Sequence, residues 1–332
     1  MSRALLLVLL AATPLAAQQP NIGYIDVYGA RARSADAVRA AAGVSTGDSV
    51  TAMLASAVRA RLLALPGLRD AQVAVVCCEN SQSIVYLGVV ERDAPAFSFG
   101  AAPAGEIRLP VNIVRDADAF MRALQDAVTQ RQAEEDDSLG HSLMRYAPAR
   151  EVQQRFINYA AGNVARLRMV LHESADAQHR AIAAQVIAYA FNKVAIIPDL
   201  IEALRDPDGN VRNNALRALA VMAAYNQKHA ESMLRIPYQP LLALMGSPYW
   251  TDRNKASLVL MSLTFGRDPL MLHQVRTQIF AELAEMAQWQ VPGHALPAAV
   301  ILGRLAGLPE DEIMPAFQRD RAALIEAARG AP

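Results

Sequence analysis

The chain repeats itself, and that constrains its fold more than any single motif does. Asp208-x-x-Val211-Arg212-x-x-Ala215-x-x-Ala218-Leu219 recurs as Asp176-x-x-His179-Arg180-x-x-Ala183-x-x-Val186-Ile187 and again as Tyr249-x-x-Asp252-Arg253-x-x-Ala256-x-x-Val259-Leu260. A fainter copy is His294-Ala295-x-x-Ala298-x-x-Ile301-Leu302. The offsets between successive copies are 32, 41 and 42 residues. Periods of that size, carrying two helices each, belong to stacked helical pairs, because one pair alone cannot bury its apolar faces. In each copy a small Ala lets paired helices approach closely, and a larger aliphatic residue fills the shared core. From about Ala149 onward nearly everything reads as helix, in short segments broken by Pro and Gly. Pro198 is placed at the start of the helix preceding the Asp208 copy, and Asp206-Pro207-Asp208-Gly209 as the tight turn between the two helices.

These residues resemble HEAT repeats, over about half the chain, with the Asp208 copy matching the family pattern at every position. The resemblance implies an α-solenoid over residues 149–329 that binds protein partners on its concave face.

Before the array the pattern differs. Ile22 to Gly29 reads as a strand, Ser34 to Ala42 as a helix capped by Ser34 and closed by Gly43, and about Thr51 to Ala64 as a second helix broken by Pro66-Gly67. Val73, Val75 and Cys77 alternate along a strand, Glu79 to Gln82 is a polar turn, and Ile84 to Val90 is the last strand. The order β-α-α-β-β resembles a POTRA (polypeptide-transport-associated) domain over residues 20–93. The matching residues are Ile22-x-x-Ile25-x-Val27-x-Gly29, Gly47-Asp48, Gly67-Leu68-x-x-x-x-Val73 and Val89-Val90-Glu91, with departures at Ala30 and Leu68. The resemblance implies a protein-binding module offering an edge strand to extended peptides. The fold class is therefore mainly α, a solenoid of HEAT-like pairs preceded by a small α+β domain. Residues 94–148 join them as an Ala/Pro/Gly-rich linker and a connecting helix from about Asp116 to Gln132. That composition predicts few obligatory contacts across 94–112, with Phe97 and Phe99 docked on one domain.

At the amino terminus, Arg3, the apolar Ala4–Ala12 and the small Leu15-Ala16-Ala17 predict a signal peptide cleaved near Ala17, and hence an exported protein, periplasmic or extracellular. No apolar run reaches the 18–20 or so residues that span a bilayer. Lys+Arg and Asp+Glu number 32 each, which argues against nucleic acid or an anionic membrane as partner. Cys77 and Cys78 are the only cysteines. They read as structural or free thiols, or as a vicinal disulfide, a metal ligand pair or a partner thiol; no CxxC is present.

Catalytic signatures fail one by one. Gly140-His141-Ser142-Leu143-Met144 begins like a nucleophile elbow but lacks the trailing Gly, and the six histidines form no HExxH. Glu134 to Asp137 lacks the spacing of a calcium loop. No cofactor is expected. Arg180, Arg212 and Arg253 recur at one structural position, either as an internal ladder of charge-assisted hydrogen bonds with the turn Asp residues or as a partner-facing row extended by His179, Asn213, Asn214 and Lys255. Trp250 and Trp289 are either cap contacts or aromatic anchors for a protein ligand. Candidate partner-binding residues are thus His179, Arg180, Arg212, Asn213, Asn214, Trp250, Asp252, Arg253, Lys255, Trp289 and His294. The leading expectation is an exported, non-enzymatic interaction scaffold with protein partners. The alternatives are an extracytoplasmic enzyme or cofactor binder around His179, Arg180, Arg212, Asp252, Arg253 and His294, and an accessory factor in envelope assembly.

Overall fold

A computed structural model describes residues 20–95 and 97–330; the predicted signal peptide lies outside the described residues. Three strands, β1 (Ile22–Tyr28), β2 (Leu68–Glu79) and β3 (Gln82–Glu91), form a sheet in the order β1-β3-β2. The central β3 runs parallel to β1 and antiparallel to β2. Helices α1 (Ala35–Ala42) and α2 (Leu54–Leu63) cover one face. Ser34 caps α1 by accepting the Ala37 N–H, and Gly43 closes it at φ 61°, the left-handed conformation that a glycine adopts without steric cost.

Period-two alternation sends Val85, Leu87 and Val89 toward these helices, where they meet Val38, Val58 and Leu62. Ile84 and Tyr86 point the other way, yet they too are buried. A central strand buried on both faces needs a second covering layer. The helical array provides it, since Tyr28, Ile84 and Tyr86 belong to the core of the array.

That array follows α3 (Val111–Thr129) and a two-residue hairpin, β4 (Glu135–Asp136) with β5 (Leu143–Met144). Its helices are α4 (Ala147–Glu173), α5 (Ala177–Ile187), α6 (Lys193–Ala203), α7 (Gly209–Lys228), α8 (Gln239–Met245), α9 (Trp250–Leu263), α10 (Pro269–Ala287) and α11 (Pro292–Leu305). Helices α5, α7, α9 and α11 stack side by side as one layer, and α4, α6, α8 and α10 pair with them from outside. At the far end α12 (Glu310–Arg319) and α13 (Arg321–Gly330) close the stack against α11. Ala183, Ala215, Ala256 and Ala298 are fully buried, as are Ile187, Leu219, Leu260 and Leu302, so the small-and-large pattern of the repeats is the packing code of the inner layer.

Two readings of local structure change. Pro198 sits inside α6, because Asn192 caps that helix earlier by accepting the Ala195 N–H. And residues 97–109 are a strap rather than a loose linker. The strap crosses the intra-repeat turns in reverse order, tying itself to each. Gly100 N–H donates to Arg205 O at 2.6 Å, Gly105 N–H donates to Glu173 O at 2.8 Å, and Ala175 N–H returns to Gly105 O at 2.7 Å. Leu109 N–H then donates to His179 Nδ1 at 2.8 Å, and Arg108 pairs with Asp176. A Cβ on Gly105 would stand 2.5 Å from Glu173 O, so only glycine allows that approach.

Cys77 and Cys78, at the exposed end of β2, are joined by a vicinal disulfide. Of the states the sequence left open, this is the one observed. Both cysteines are exposed, where the register of β2 breaks before its turn.

Candidate partner-binding surfaces

The arginine row is an internal ladder whose rungs run to the next repeat. Arg180 donates from Nε and Nη2 to Asp206 at 2.7 and 2.9 Å. Arg212 Nε lies 3.0 and 3.1 Å from the two carboxylate oxygens of Asp252. Arg253 Nη1 donates to Glu285 at 3.0 Å. The expected partners, Asp176 and Asp208, instead cap their own helices, accepting the N–H groups of Gln178 and His179 and of Asn210 and Val211. Each guanidinium also ties down carbonyls of the preceding turn: Ser174 for Arg180, Asp206 and Pro207 for Arg212, Ser247 for Arg253. The ladder therefore staples each repeat to its neighbour.

The N-terminal half seals this ladder. The Phe99 ring lies over Arg212, 3.5 Å from its Cζ, and Tyr28 lies over Arg253 at 4.7 Å. Glu285 accepts from Arg253, from Arg31 at 3.0 Å and from the Gly29 N–H at 2.9 Å. Burial pushes the Glu285 carboxyl upward, against the pull of Arg253 and Arg31.

Beside it is an aromatic junction. Tyr86 stacks on Trp250 at 5.0 Å and packs on Trp289 at 5.0 Å, and its hydroxyl meets His294 Nδ1 at 2.5 Å. Burial raises the Tyr86 phenol and lowers the His294 imidazole, so the tyrosine is the donor and the imidazole the neutral acceptor. Tyr28 donates to Pro248 O at 2.7 Å, and Gln290 donates from N and Nε2 to Asp26 and Ile25 O.

These contacts decide what the predicted residues can offer. Arg180, Arg212, Asp252, Arg253, Trp250 and Trp289 are buried, so a partner-facing row of arginines and tryptophan anchors for a foreign ligand are corrected to intramolecular roles. The partner the tryptophans grip is the sheet of the same chain. His294 is engaged by Tyr86 and His179 by the strap. Sequence reasoning missed Tyr86 and Tyr28, which sit far away in sequence and join the site only through docking, and Glu285, which the stacking of the array brings to Arg253.

What stays accessible is the inner face of α5, α7 and α9. Asn213, Asn214 and Lys255 are half-buried there. Asn214 Nδ2 donates to Ala181 O, tying α7 to α5. Arg217 pairs with Glu135 of the hairpin. Burial depresses the Lys255 amine, and the nearby Arg217 charge adds to it. A second open element is the outer edge of β2, beyond which no strand lies among the described residues, although Arg59 Nε donates to Ala71 O there. Among the described residues no group of three or more His, Cys, Asp and Glu side chains could hold a metal ion, and no helix is long and apolar enough to cross a membrane.

The family model for HEAT repeats matches residues 164–261. Residues 164–261 form a HEAT-like repeat region. Its start falls just after Asn163, where a non-helical φ of −135° kinks α4 and frees its second half to pair with α5. The HEAT-like match takes in the copies at Asp176, Asp208 and Tyr249, and the copy at His294 lies beyond it. Among solved structures, a designed armadillo repeat protein is similar at TM-score 0.36 and 15% identity, over 58% of this chain and 96% of that one. No curated protein matches the chain.

Proposed function

We propose that this chain is an exported, non-enzymatic scaffold that holds a protein partner on the inner face of its HEAT-like array. The observation that carries this reading is the division of surfaces. The turn ridge is covered by the strap and the sheet, whereas the α5/α7/α9 face keeps Asn213, Asn214, Arg217 and Lys255 within reach of solvent. Stacked repeats generate such extended surfaces as a by-product of their packing. Lys255 has an ammonium with no carboxylate within salt-bridge distance among the described residues, which favours a partner that brings negative charge or carbonyl acceptors.

The POTRA-like reading of residues 20–93 adds a second contact. The outer edge of the twelve-residue β2 has backbone groups available for strand addition. An envelope assembly role rests on that resemblance, and export rests on the predicted leader ahead of Gln18.

Site-specific photo-crosslinkers test the scaffold in the source cell's envelope fraction. A crosslinker at Lys255 or at Gln72 on β2 should trap the same discrete partner, while one at the exposed Val194 of α6 should not. Trapping from Val194 alone would overturn the assignment of faces. Mass spectrometry of the isolated protein should show an N-terminus at Gln18; a retained Met1 would overturn export by cleavage.

A further inference from the structure

A small cavity opens at the floor of the inner face, between α5, α7 and the β4–β5 hairpin. Its volume is about 30 Å³, measured as the space open to the centre of a water molecule. That is room for about two waters, or for the two oxygens of one carboxylate, and not for a sugar or a nucleotide. His141, Ser142, Gln185, Tyr189, Asn214 and Arg217 contribute to its lining.

Two polar groups of its lining have no partner among the described residues. Ser142 O accepts from both Tyr189 Oη and Gln153 Nε2, and the Tyr189 hydroxyl accepts in turn from Gln153. Those acceptors are occupied. By contrast the Ser142 hydroxyl is buried without a partner, and so is His141 Nε2. The state of that nitrogen follows from its neighbour. Lys193 Nζ lies 3.2 Å from His141 Nδ1 and donates to Ala188 O at 2.7 Å. An ammonium has only donors, so Nδ1 must accept and the neutral ring carries its proton on Nε2. Burial and the Lys193 charge hold His141 down at about 4, which keeps the ring neutral at pH 7, while Lys193, pushed to about 8, remains mostly cationic.

Two donors therefore lack an acceptor in a pocket with Lys193 behind it and the Arg217 guanidinium in its wall. Of the hairpin carboxylates, Glu135 is committed to Arg217, and Asp136 to the Ser138 N–H and Arg150, whereas Asp137 Oδ1 is buried without a partner outside the cavity lining. Buried donors left without acceptors are destabilising, and a ligand oxygen bearing negative charge relieves them best.

We propose that this cavity is a carboxylate-binding site in which one ligand carboxylate accepts from His141 Nε2–H and Ser142 Oγ–H, with Lys193 supplying positive potential. The carboxylate comes either from a small free acid or from an acidic side chain of a bound protein. The second source rests on the scaffold reading above; the site itself does not.

The test uses the full chain with ¹⁵N-labelled histidine, following the His141 imidazole resonances by long-range ¹H–¹⁵N correlation. Four probes are titrated: acetate, acetamide, and the capped pentapeptides Ala-Ala-Glu-Ala-Ala and Ala-Ala-Gln-Ala-Ala. Acetate should shift the His141 Nε2 signal saturably, acetamide at least tenfold more weakly, and Ser142→Ala should weaken acetate several-fold without lowering the unliganded melt. A shift with the Glu peptide but not the Gln peptide assigns the site to a protein partner. A shift with acetate alone keeps the carboxylate site and counts against the scaffold reading at this place. No shift with acetate or the Glu peptide, or equal responses to acetate and acetamide, or an unaltered response in Ser142→Ala, overturns the proposal in favour of ordered water.

Discussion

Arg212 and Asp252 face each other across two repeats with neither side chain exposed at all, and Nε of the first is 3.0 Å from Oδ1 of the second. Removing one member leaves the other charged and buried, which costs about 3–5 kcal/mol, far more than an exposed pair. Arg212→Ala should therefore lower the unfolding free energy by about that amount, measured by urea denaturation. The double variant Arg212→Met with Asp252→Leu should lose less than Arg212→Ala alone, because no orphan charge remains. A double variant as unstable as the sum of its parts would show that the pair is not the source.

Gly88 sits where the sheet meets the array. A Cβ there would fall 2.3 Å from Pro248 O and 2.5 Å from the Tyr28 ring. Gly88→Ala should push the sheet off the turn at 248 and destabilise the junction by about 1–3 kcal/mol. The chain has only two tryptophans, and both line this junction, so intrinsic fluorescence reports on docking. The variant should show a red-shifted emission in its native state; wild-type emission with wild-type stability would argue that the junction is more forgiving than its contacts suggest.

The strap makes a related point about independence. A fragment of residues 113–330 lacks the Phe99 ring that covers Arg212 and the sheet that covers Trp250 and Trp289. It should expose a large apolar patch and associate. Light scattering and dye binding check this. A monomeric fragment with a sharp helical melt would restore the linker reading.

His141 gives a pH dependence of definite sign. Its folded value, about 4, lies below the value near 6.5 of an unfolded histidine. The unfolded chain takes up the proton first, so this contribution is fully present above pH 6.5 and is lost as pH falls toward 4. The loss is at most about 3 kcal/mol, reduced by whatever screening solvent provides. His294, also lowered by burial, acts in the same direction. Denaturation at pH 7, 5.5 and 4.5 should show a shallower decline for His141→Phe than for the wild type. Parallel curves would mean that His141 takes up its proton alike in the folded and unfolded states.

Local and periodic features were legible because they depend on nearest neighbours. Ser34 and Gly43 bracket α1 through capping geometry confined to a few residues, and the small and large positions of the repeats face one another whatever else the chain does. What Arg212 pairs with was not legible. Asp208 and Asp252 are equally plausible by residue type, and only the stacking of α9 on α7 brings Asp252 to the guanidinium while Asp208 turns to its own helix end. The same holds for Trp250, Trp289 and the strap. An Ala/Pro/Gly-rich stretch looks like a tether by composition, yet glycine is also what lets backbone lie against backbone, as Gly105 does on Glu173. The sequence by itself determined the helical pairs and the small α+β unit. The tertiary structure alone decided which faces they hide from each other, because burial of Tyr86 between Trp250, Trp289 and His294 depends on residues some 200 positions apart meeting at one turn ridge.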